Sequence, residues 1–274
     1  MSKVIAALDT SIAARPVLST ALALASVLGA EVEALHVPEN GGRVPRSTAA
    51  GERVPLVVAD GPVPAALIRA ADADDVLGLV VGARRSPMGR KPLGSTALEV
   101  ATSLPKPLVV VPPDARRSDA LKRVLVPLEG HGAAHAPREI IALAEGAGLE
   151  VVVLHVLEEE SLPLFTDQPQ HEHPARVHEF LCRYCPWGID SVRFEVRVGR
   201  SDELVPLVAE QTDVDIIALG WAQELAPDRA PIVRAVLERA HVPILLVPVL
   251  AEIRSASFPP ATEESWSTLL SSPA

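Results

Sequence analysis

Residues 4–37 read VIAALDTSIAARPVLSTALALASVLGAEVEALHV, a succession that predicts a strand, a helix and a second strand. The opening run VIAAL is continuously apolar, as strands are when helices cover both faces of a parallel sheet. Leu18, Leu22 and Ala25 recur at helical spacing, and Gly29 follows where a helix C-cap belongs. The stretch is therefore interpreted as one β-α-β unit of a parallel sheet.

A second copy of this unit occupies residues 124–156, VLVPLEGHGAAHAPREIIALAEGAGLEVVVLHV, with the same order of apolar strand, acid, helix and closing His-Val. Residues 61–82 and 199–220 also match in length and pattern, and LPKPLVVVP (104–112) matches AHVPILLVP (240–248). The repeat predicts an α/β protein of two tandem doubly wound domains. Each domain is predicted to hold a five-stranded parallel sheet with helices on both faces.

The repeat also predicts the domain boundaries. The first domain is expected to span residues 1–113 and the second 120–250, with a polar linker at 114–119 and a flexible tail at 251–274. The last strands of the two halves, PLVVVP and PILLVP, are expected to lie at sheet edges and to pair, because an exposed apolar edge invites pairing. The chain would then be an intramolecular pseudo-dimer, either as a monomer or as a homodimer.

Composition excludes several classes of function. The 274 residues carry a formal net charge of −10, which argues against a nucleic-acid-binding surface built from clustered Lys and Arg. No apolar run reaches the roughly 18 residues that a membrane span requires, and no leader-like segment precedes the first strand. Only two cysteines occur, at positions 182 and 185. A cytoplasmic protein without membrane attachment is therefore expected.

The stretch at residues 80–100, VVGARRSPMGRKPLGSTALEV, predicts a strand, a basic loop that contains glycine, and the start of a helix. In doubly wound sheets, ligands bind at the carboxyl ends of strands where the strand order reverses. Asp9 ends the first strand and Gly82 ends the fourth. If these two strands are neighbours, both residues face one crevice together with the start of the helix.

The predicted helix start in this loop suits an anion. Gly94, Ser95 and Thr96 open the helix, where backbone N–H groups lack intrahelical partners and the helix dipole is positive. The loop before them adds four cationic side chains, those of Arg84, Arg85, Arg90 and Lys91. A ligand-free interpretation stays open, because Thr96 and Glu99 have capping-box spacing and Asp9 could be the N-cap of the first helix.

These features resemble the universal stress protein family, over nearly the whole chain and as two tandem family domains. The resemblance rests on VIAALD, the His-Val strand ending, the VVGA…LGST loop and the last strand PLVVVP. It implies the adenine nucleotide alpha hydrolase-like fold and a stress-response or regulatory role without turnover. It further implies that ATP binds in the first half only, through a loop of the form G-x2-G-x9-G-[S/T], with no metal beyond a Mg ion that accompanies the nucleotide.

The resemblance also implies a set of nucleotide-binding residues, which either match this loop and its neighbouring acid or flank them: Asp9, Gly82, Arg84, Arg85, Gly89, Gly94, Ser95 and Thr96. The family loop holds phosphates with its last glycine and hydroxyl, and the acid lies near the adenosine. Arg85 stands at the middle glycine position of a loop that is one residue shorter than the family spacing. Gly89 is the nearby substitute for that glycine.

The second half departs from this pattern. Glu129 stands in place of Asp9, and Ala230-Pro231 stands in place of Gly94-Ser95. Proline has no N–H to offer a phosphate, so no nucleotide is expected there. The alternative function for the whole chain is a nucleotide-free scaffold, whose protein partner would bind the loops or the segment at residues 157–187.

A histidine-rich stretch in that segment, HEHPARVHEFLCRYC, raises the question of zinc, since one CxxC with nearby histidines could supply the four ligands of a zinc site. The five candidate ligands are His171, His173, His178, Cys182 and Cys185. A single CxxC in an amphipathic pattern favours instead a helix that buries Phe180 and Leu181. His36 and His155 end matching strands. Both are expected to be core or crevice-lining residues.

Overall fold

The structure is a computed structural model that describes residues 1–11, 13–38, 44–83, 93–116, 120–128, 140–141, 144, 146–157, 192–225 and 230–248. The first half contains β1 (Lys3–Ala7), α1 (Ala14–Leu28), β2 (Glu31–His36), α2 (Arg46–Gly51), β3 (Leu56–Val58), α3 (Val63–Ala71), β4 (Val76–Gly82), α4 (Ser95–Ser103) and β5 (Leu108–Val111). The second half contains β6 (Arg123–Leu128), β7 (Glu150–Leu157), β8 (Val192–Val198), α5 (Ser201–Gln211), β9 (Ile216–Trp221), α6 (Pro231–Arg239) and β10 (Ile244–Pro248).

The strands form one ten-stranded sheet in the order β3-β2-β1-β4-β5-β10-β9-β6-β7-β8. All strand pairs within a half are parallel. The chain runs outward from β1 to β3 and then returns to place β4 and β5 on the other side of β1, and the second half repeats this path from β6. The prediction of two doubly wound halves with five parallel strands each is confirmed.

The two halves meet at their last strands. β5 and β10 pair antiparallel, with Val110 opposite Ile244 and Val109 opposite Leu245. Every residue of both strands is buried, so the pairing covers two apolar edges that would otherwise face water. The predicted pairing of PLVVVP with PILLVP is confirmed, and it relates the halves by a pseudo-two-fold axis.

Helices cover both faces of the sheet, which explains why the strands are continuously apolar. α1 packs on one face through side chains such as Val17 and Leu18, each 1% exposed. α3, α4, α5 and α6 contribute to the core on the other face. α1 ends at Gly29 in the left-handed conformation with φ of 60°, and the equivalent Gly148 has φ of 70°. The predicted glycine C-cap is therefore confirmed.

Some predicted features lie outside the described residues, namely most of the basic loop, the histidine-rich segment and the tail at residues 251–274. The domain boundaries at 113 and 120 stay predictions. In the described ranges, no helix combines the length and apolar character needed to cross a membrane.

Candidate functional site: a cleft at the carboxyl ends of β1 and β4

A cleft of about 310 Å³ opens where the strand order of the first half reverses. β1 and β4 pair in parallel there, so Asp9 and Gly82 lie at the same edge of the sheet, as expected. Buried apolar side chains line the interior, among them those of Leu35, Val37, Leu67 and Val81. The starts of α1, α3 and α4 complete the walls. This is the position at which doubly wound sheets bind ligands.

The start of α4 faces this cleft. Gly94 is the N-cap residue, and its N–H donates to the Ala83 carbonyl oxygen at 2.7 Å. The first helical hydrogen bond runs from the Leu98 N–H to the Gly94 oxygen at 2.9 Å. The N–H groups of residues 95–97 therefore have no acceptor within the helix, and all three residues line the cleft. No side chain of the described residues caps α4, and its first turn contains no acid.

This geometry corrects the capping-box interpretation of Thr96 and Glu99. Thr96 is the second residue inside α4, whereas a capping box requires its hydroxyl residue at the N-cap, which is Gly94. Gly94 has φ of −67° and ψ of 161°, an extended conformation open to any residue. The glycine is therefore not required by a special backbone dihedral angle. Its position leaves the N-cap without a side chain, so nothing on that residue competes with a ligand for the helix N–H groups.

Asp9 is held by a local turn. Its Oδ1 atom accepts hydrogen bonds from the Ser11 N–H at 2.9 Å and from the Ser11 hydroxyl at 2.6 Å. α1 begins only at Ala14, with Ala13 as its N-cap, so the interpretation of Asp9 as the N-cap of α1 is wrong. The Asp9 side chain instead belongs to an Asx-type turn at the rim of the cleft. This turn fixes a half-buried carboxylate at the end of β1.

A second cavity of about 430 Å³ continues the cleft past the start of α4. The two cavities share Val63, Ser95 and Thr96, and residues 61–64 and Glu99 also line the second one. α3 starts here with Pro62 as its N-cap and without an acid in its first turn. Two helix N-termini therefore open on the same connected space, where the dipoles of both favour negative charge.

The cleft brings together five of the eight predicted site residues: Asp9, Gly82, Gly94, Ser95 and Thr96. The other three, Arg84, Arg85 and Gly89, lie outside the described residues. Sequence reasoning missed Val63 and the start of α3. The sequence signal for that helix start was Gly61-Pro62, a turn dipeptide directly before a helical pattern.

Comparison with known proteins identifies the family. The model of the universal stress protein family matches residues 42–112 and 120–248. The chain belongs to the universal stress protein family. No curated protein sequence matches the chain.

Two of the solved structures that are similar to this chain share its fold over both halves. A universal stress protein from Archaeoglobus fulgidus DSM 4304 is 16% identical with a TM-score of 0.62, over 90% of this chain and 96% of its own. A functionally unknown protein from Pseudomonas aeruginosa PAO1 is 11% identical with a TM-score of 0.65, over 90% and 92%. A universal stress protein from Archaeoglobus fulgidus in complex with dAMP covers 46% of this chain at 16% identity and a TM-score of 0.34. The two structures that cover 90% of this chain show a shared fold.

The second half of this family member is built differently at the equivalent edge. Pro231 is the first residue of α6, so only Ile232 and Val233 offer N–H groups there before the first helical bond, which runs from Arg234 to Ala230. The predicted loss of an amide is confirmed. Trp221, the counterpart of Ala83, is 1% exposed and fills this end of β9. Glu129 lies outside the described residues.

The two strand-end histidines of this family member differ in exposure. His36 is 5% exposed, and its Nδ1–H donates to the Leu8 carbonyl oxygen at 2.7 Å, which makes it a core residue as expected. His155 is half-buried in β7. Among the residues that the structure describes, no group of three or more His, Cys, Asp or Glu side chains could hold a metal ion. The zinc alternative at residues 171–185 falls outside them.

Proposed function

We propose that the first half binds ATP and that the protein acts as a nucleotide-responsive regulator in a stress response, without turnover. The start of α4 is the observation that carries this proposal. Three consecutive N–H groups at the positive end of a helix line a cleft, with no side-chain cap and no acid in the first turn of the helix. A helix start of this kind suits a phosphate group, because its N–H groups donate hydrogen bonds to the phosphate oxygens and the helix dipole favours negative charge.

The remaining lining of the cleft fits the rest of an adenine nucleotide. Leu35, Leu67 and Val81 offer a buried apolar surface for the base, and the Asp9 carboxylate can accept hydrogen bonds from ribose hydroxyls. The volumes of about 310 Å³ and about 430 Å³ for the connected cavities agree with the roughly 300–1,000 Å³ of small-molecule sites. A Mg ion would enter with the phosphates, and the cations of the basic loop would add attraction.

The proposal is tested by replacing Ser95 with proline, because the second half has Pro231 at the equivalent position. In Ser95→Pro, the proline stands at the first helical position, where it is tolerated, and the extended conformation of Gly94 suits a residue that precedes proline. The variant loses one N–H group that would donate a hydrogen bond to the phosphate, and the fold stays intact. A hydrogen bond to a charged group contributes about 1.5–3 kcal/mol, so ATP affinity measured by calorimetry should fall roughly ten- to hundredfold.

Ser95→Ala is the matched control, because it removes the hydroxyl and keeps the N–H. Its ATP affinity should fall by much less than that of Ser95→Pro, and both variants should unfold at the wild-type urea midpoint without ATP. Equal affinities of wild type and Ser95→Pro would show that the amide holds no phosphate. If wild type binds no ATP at millimolar concentration, the protein-interaction module becomes the better function. Release of phosphate above the buffer rate would contradict the absence of turnover.

A further inference from the structure

α4 touches the nucleotide cleft at one end and the second half at the other. Its first residues line the cleft. At its last turn, the Trp221 indole N–H donates to the Ala101 carbonyl oxygen at 2.8 Å, and the Gln223 side-chain amide donates to the Leu104 oxygen at 2.7 Å. The helix has nine residues and is therefore about 14 Å long. A short rigid element thus joins the cleft to residues of the other half.

These two hydrogen bonds satisfy helix carbonyls that have no intrahelical partner. The last four carbonyls of a helix lack such partners, and buried ones need a donor from elsewhere. α4 has no basic residue in its last turn, and Trp221 is 1% exposed, so the indole donates from within the junction. The C-terminal end of α4 is thus capped by the second half.

The arrangement differs between the two halves. The repeat pairs Trp221 with Ala83 and Gln223 with Arg85. The methyl group of Ala83 cannot donate a hydrogen bond, so the first half cannot return the contact that Trp221 makes. The end of β9 and the residues directly after it therefore cap the C-terminal end of α4, a contact for which the first half has no equivalent of Trp221.

We propose that Trp221 and Gln223 are positioning residues for the nucleotide cleft, acting through α4, and that they couple nucleotide occupancy to the second half. This inference rests on the proposed nucleotide site. The donors of residues 95–97 are fixed to α4, so a shift of the helix C-terminal end moves them relative to Asp9. Breaking either cap gives α4 more positions, of which only some suit a bound phosphate, and ATP binds less tightly.

The first experiment measures ATP affinity by calorimetry in two variants. Trp221→Phe keeps most of the packing and loses the N–H donor, and Gln223→Ala loses the amide. Each should weaken ATP binding roughly three- to tenfold, the range of a coupling carried by one contact. Gln223→Lys restores a donor and adds a cation that a helix C-terminus favours, so it should recover most of the affinity.

Thr212→Val is the matched control, since it removes a 2.7 Å hydrogen bond from the Thr212 hydroxyl to the Val208 carbonyl of α5 without touching α4. It should lower stability and leave ATP affinity unchanged. If it weakens ATP binding as much as Trp221→Phe does, general destabilisation explains the effect and the positioning role is wrong.

The second experiment uses the reciprocity of coupled equilibria. In protein with 15N-labelled tryptophan, saturating ATP should slow hydrogen exchange at the Trp221 indole N–H by the same factor by which Trp221→Phe weakens ATP binding. Wild-type ATP affinity in both variants together with unchanged exchange would overturn the inference and leave the nucleotide site standing. No ATP binding by wild type would overturn both.

Discussion

The helices α3 and α4 in the first half and α5 and α6 in the second begin at equivalent places, yet their first turns differ. α3 and α4 begin without acidic residues and open on connected cavities. α5 begins with Asp202 and Glu203, whose carboxylates complement the positive end of that helix, and α6 begins with Pro231, which removes one N–H. One copy of the fold leaves helix N–H groups facing a cleft, and the other places acids near the positive helix end or removes an N–H group.

The comparison shows how two copies of one fold can differ at the helix starts that we propose as a phosphate site in the first half. Proline and acids at a helix start are compatible with the helix, so they remove an anion site at little cost in stability. The space at the end of β9 is filled by Trp221, and the hydrogen bonds of Trp221 and Gln223 go to α4. The second half therefore caps the C-terminal end of a helix of the first half.

Trp221→Ala is expected to have the largest effect on stability of the variants that test this comparison. It removes a fully buried side chain and one of the two caps of α4, and large-to-small changes of an aromatic core residue cost about 3–5 kcal/mol. The free energy of unfolding from urea titration should fall by about that amount. Leu207→Ala is the control, because that side chain is 45% exposed and its loss should cost little. A loss at Trp221 no larger than at Leu207 would show that the junction does not depend on the indole.

The strand pattern and the repeat were enough to predict the sheets of both halves and the pairing of their last strands. Periodicity and apolar runs report burial, and burial on both faces is typical of the inner strands of a parallel sheet, whereas the outermost strands β3 and β8 are partly exposed. They also located Asp9, Gly82 and Gly94 at one edge, because that edge follows from strand order alone.

Other features of the site depend on relations that one sequence does not display. Thr96 and Glu99 satisfied the capping-box pattern, yet the helix begins two residues earlier than that pattern predicts and places Thr96 inside it. Helix starts are uncertain by a residue or two from sequence, and a one-residue shift changes which side chain can cap. The hydrogen bonds of Trp221 and Gln223 to α4 join residues more than a hundred positions apart, so no local pattern encodes them.

Asp9→Glu sharpens the comparison, because it gives the first half the residue type that the second half has at Glu129. The Asp9 carboxylate accepts two hydrogen bonds from Ser11, and a longer side chain cannot close the same turn. The free energy of unfolding should fall by about 1 kcal/mol, the typical contribution of a hydrogen bond. Asp9→Asn keeps the acceptor oxygen and should lose less. A larger loss in Asp9→Asn than in Asp9→Glu would show that charge, and not the turn, determines the role of Asp9.

The smallest effect is expected at Asp202, the acid at the start of α5. Two hydrogen bonds from the Arg200 guanidinium, at 3.0 and 3.1 Å, lower the pKa of this carboxyl below its usual value. A lowered folded-state pKa means that the carboxylate stabilises the protein above the unfolded-state pKa, and this contribution disappears as the pH falls through the folded-state value.

Because the Arg200 side chain is 72% exposed, solvent weakens the pair and Asp202→Asn should cost less than about 1 kcal/mol at pH 7. The difference in urea unfolding between wild type and Asp202→Asn should shrink below about pH 4, and at pH 7 it should be smaller when both proteins carry Arg200→Ala. A difference that persists unchanged to pH 3 would show that the ionised carboxylate of Asp202 does not stabilise the start of α5. The contrast with the cleft-facing starts of α3 and α4 would then rest on Pro231 alone.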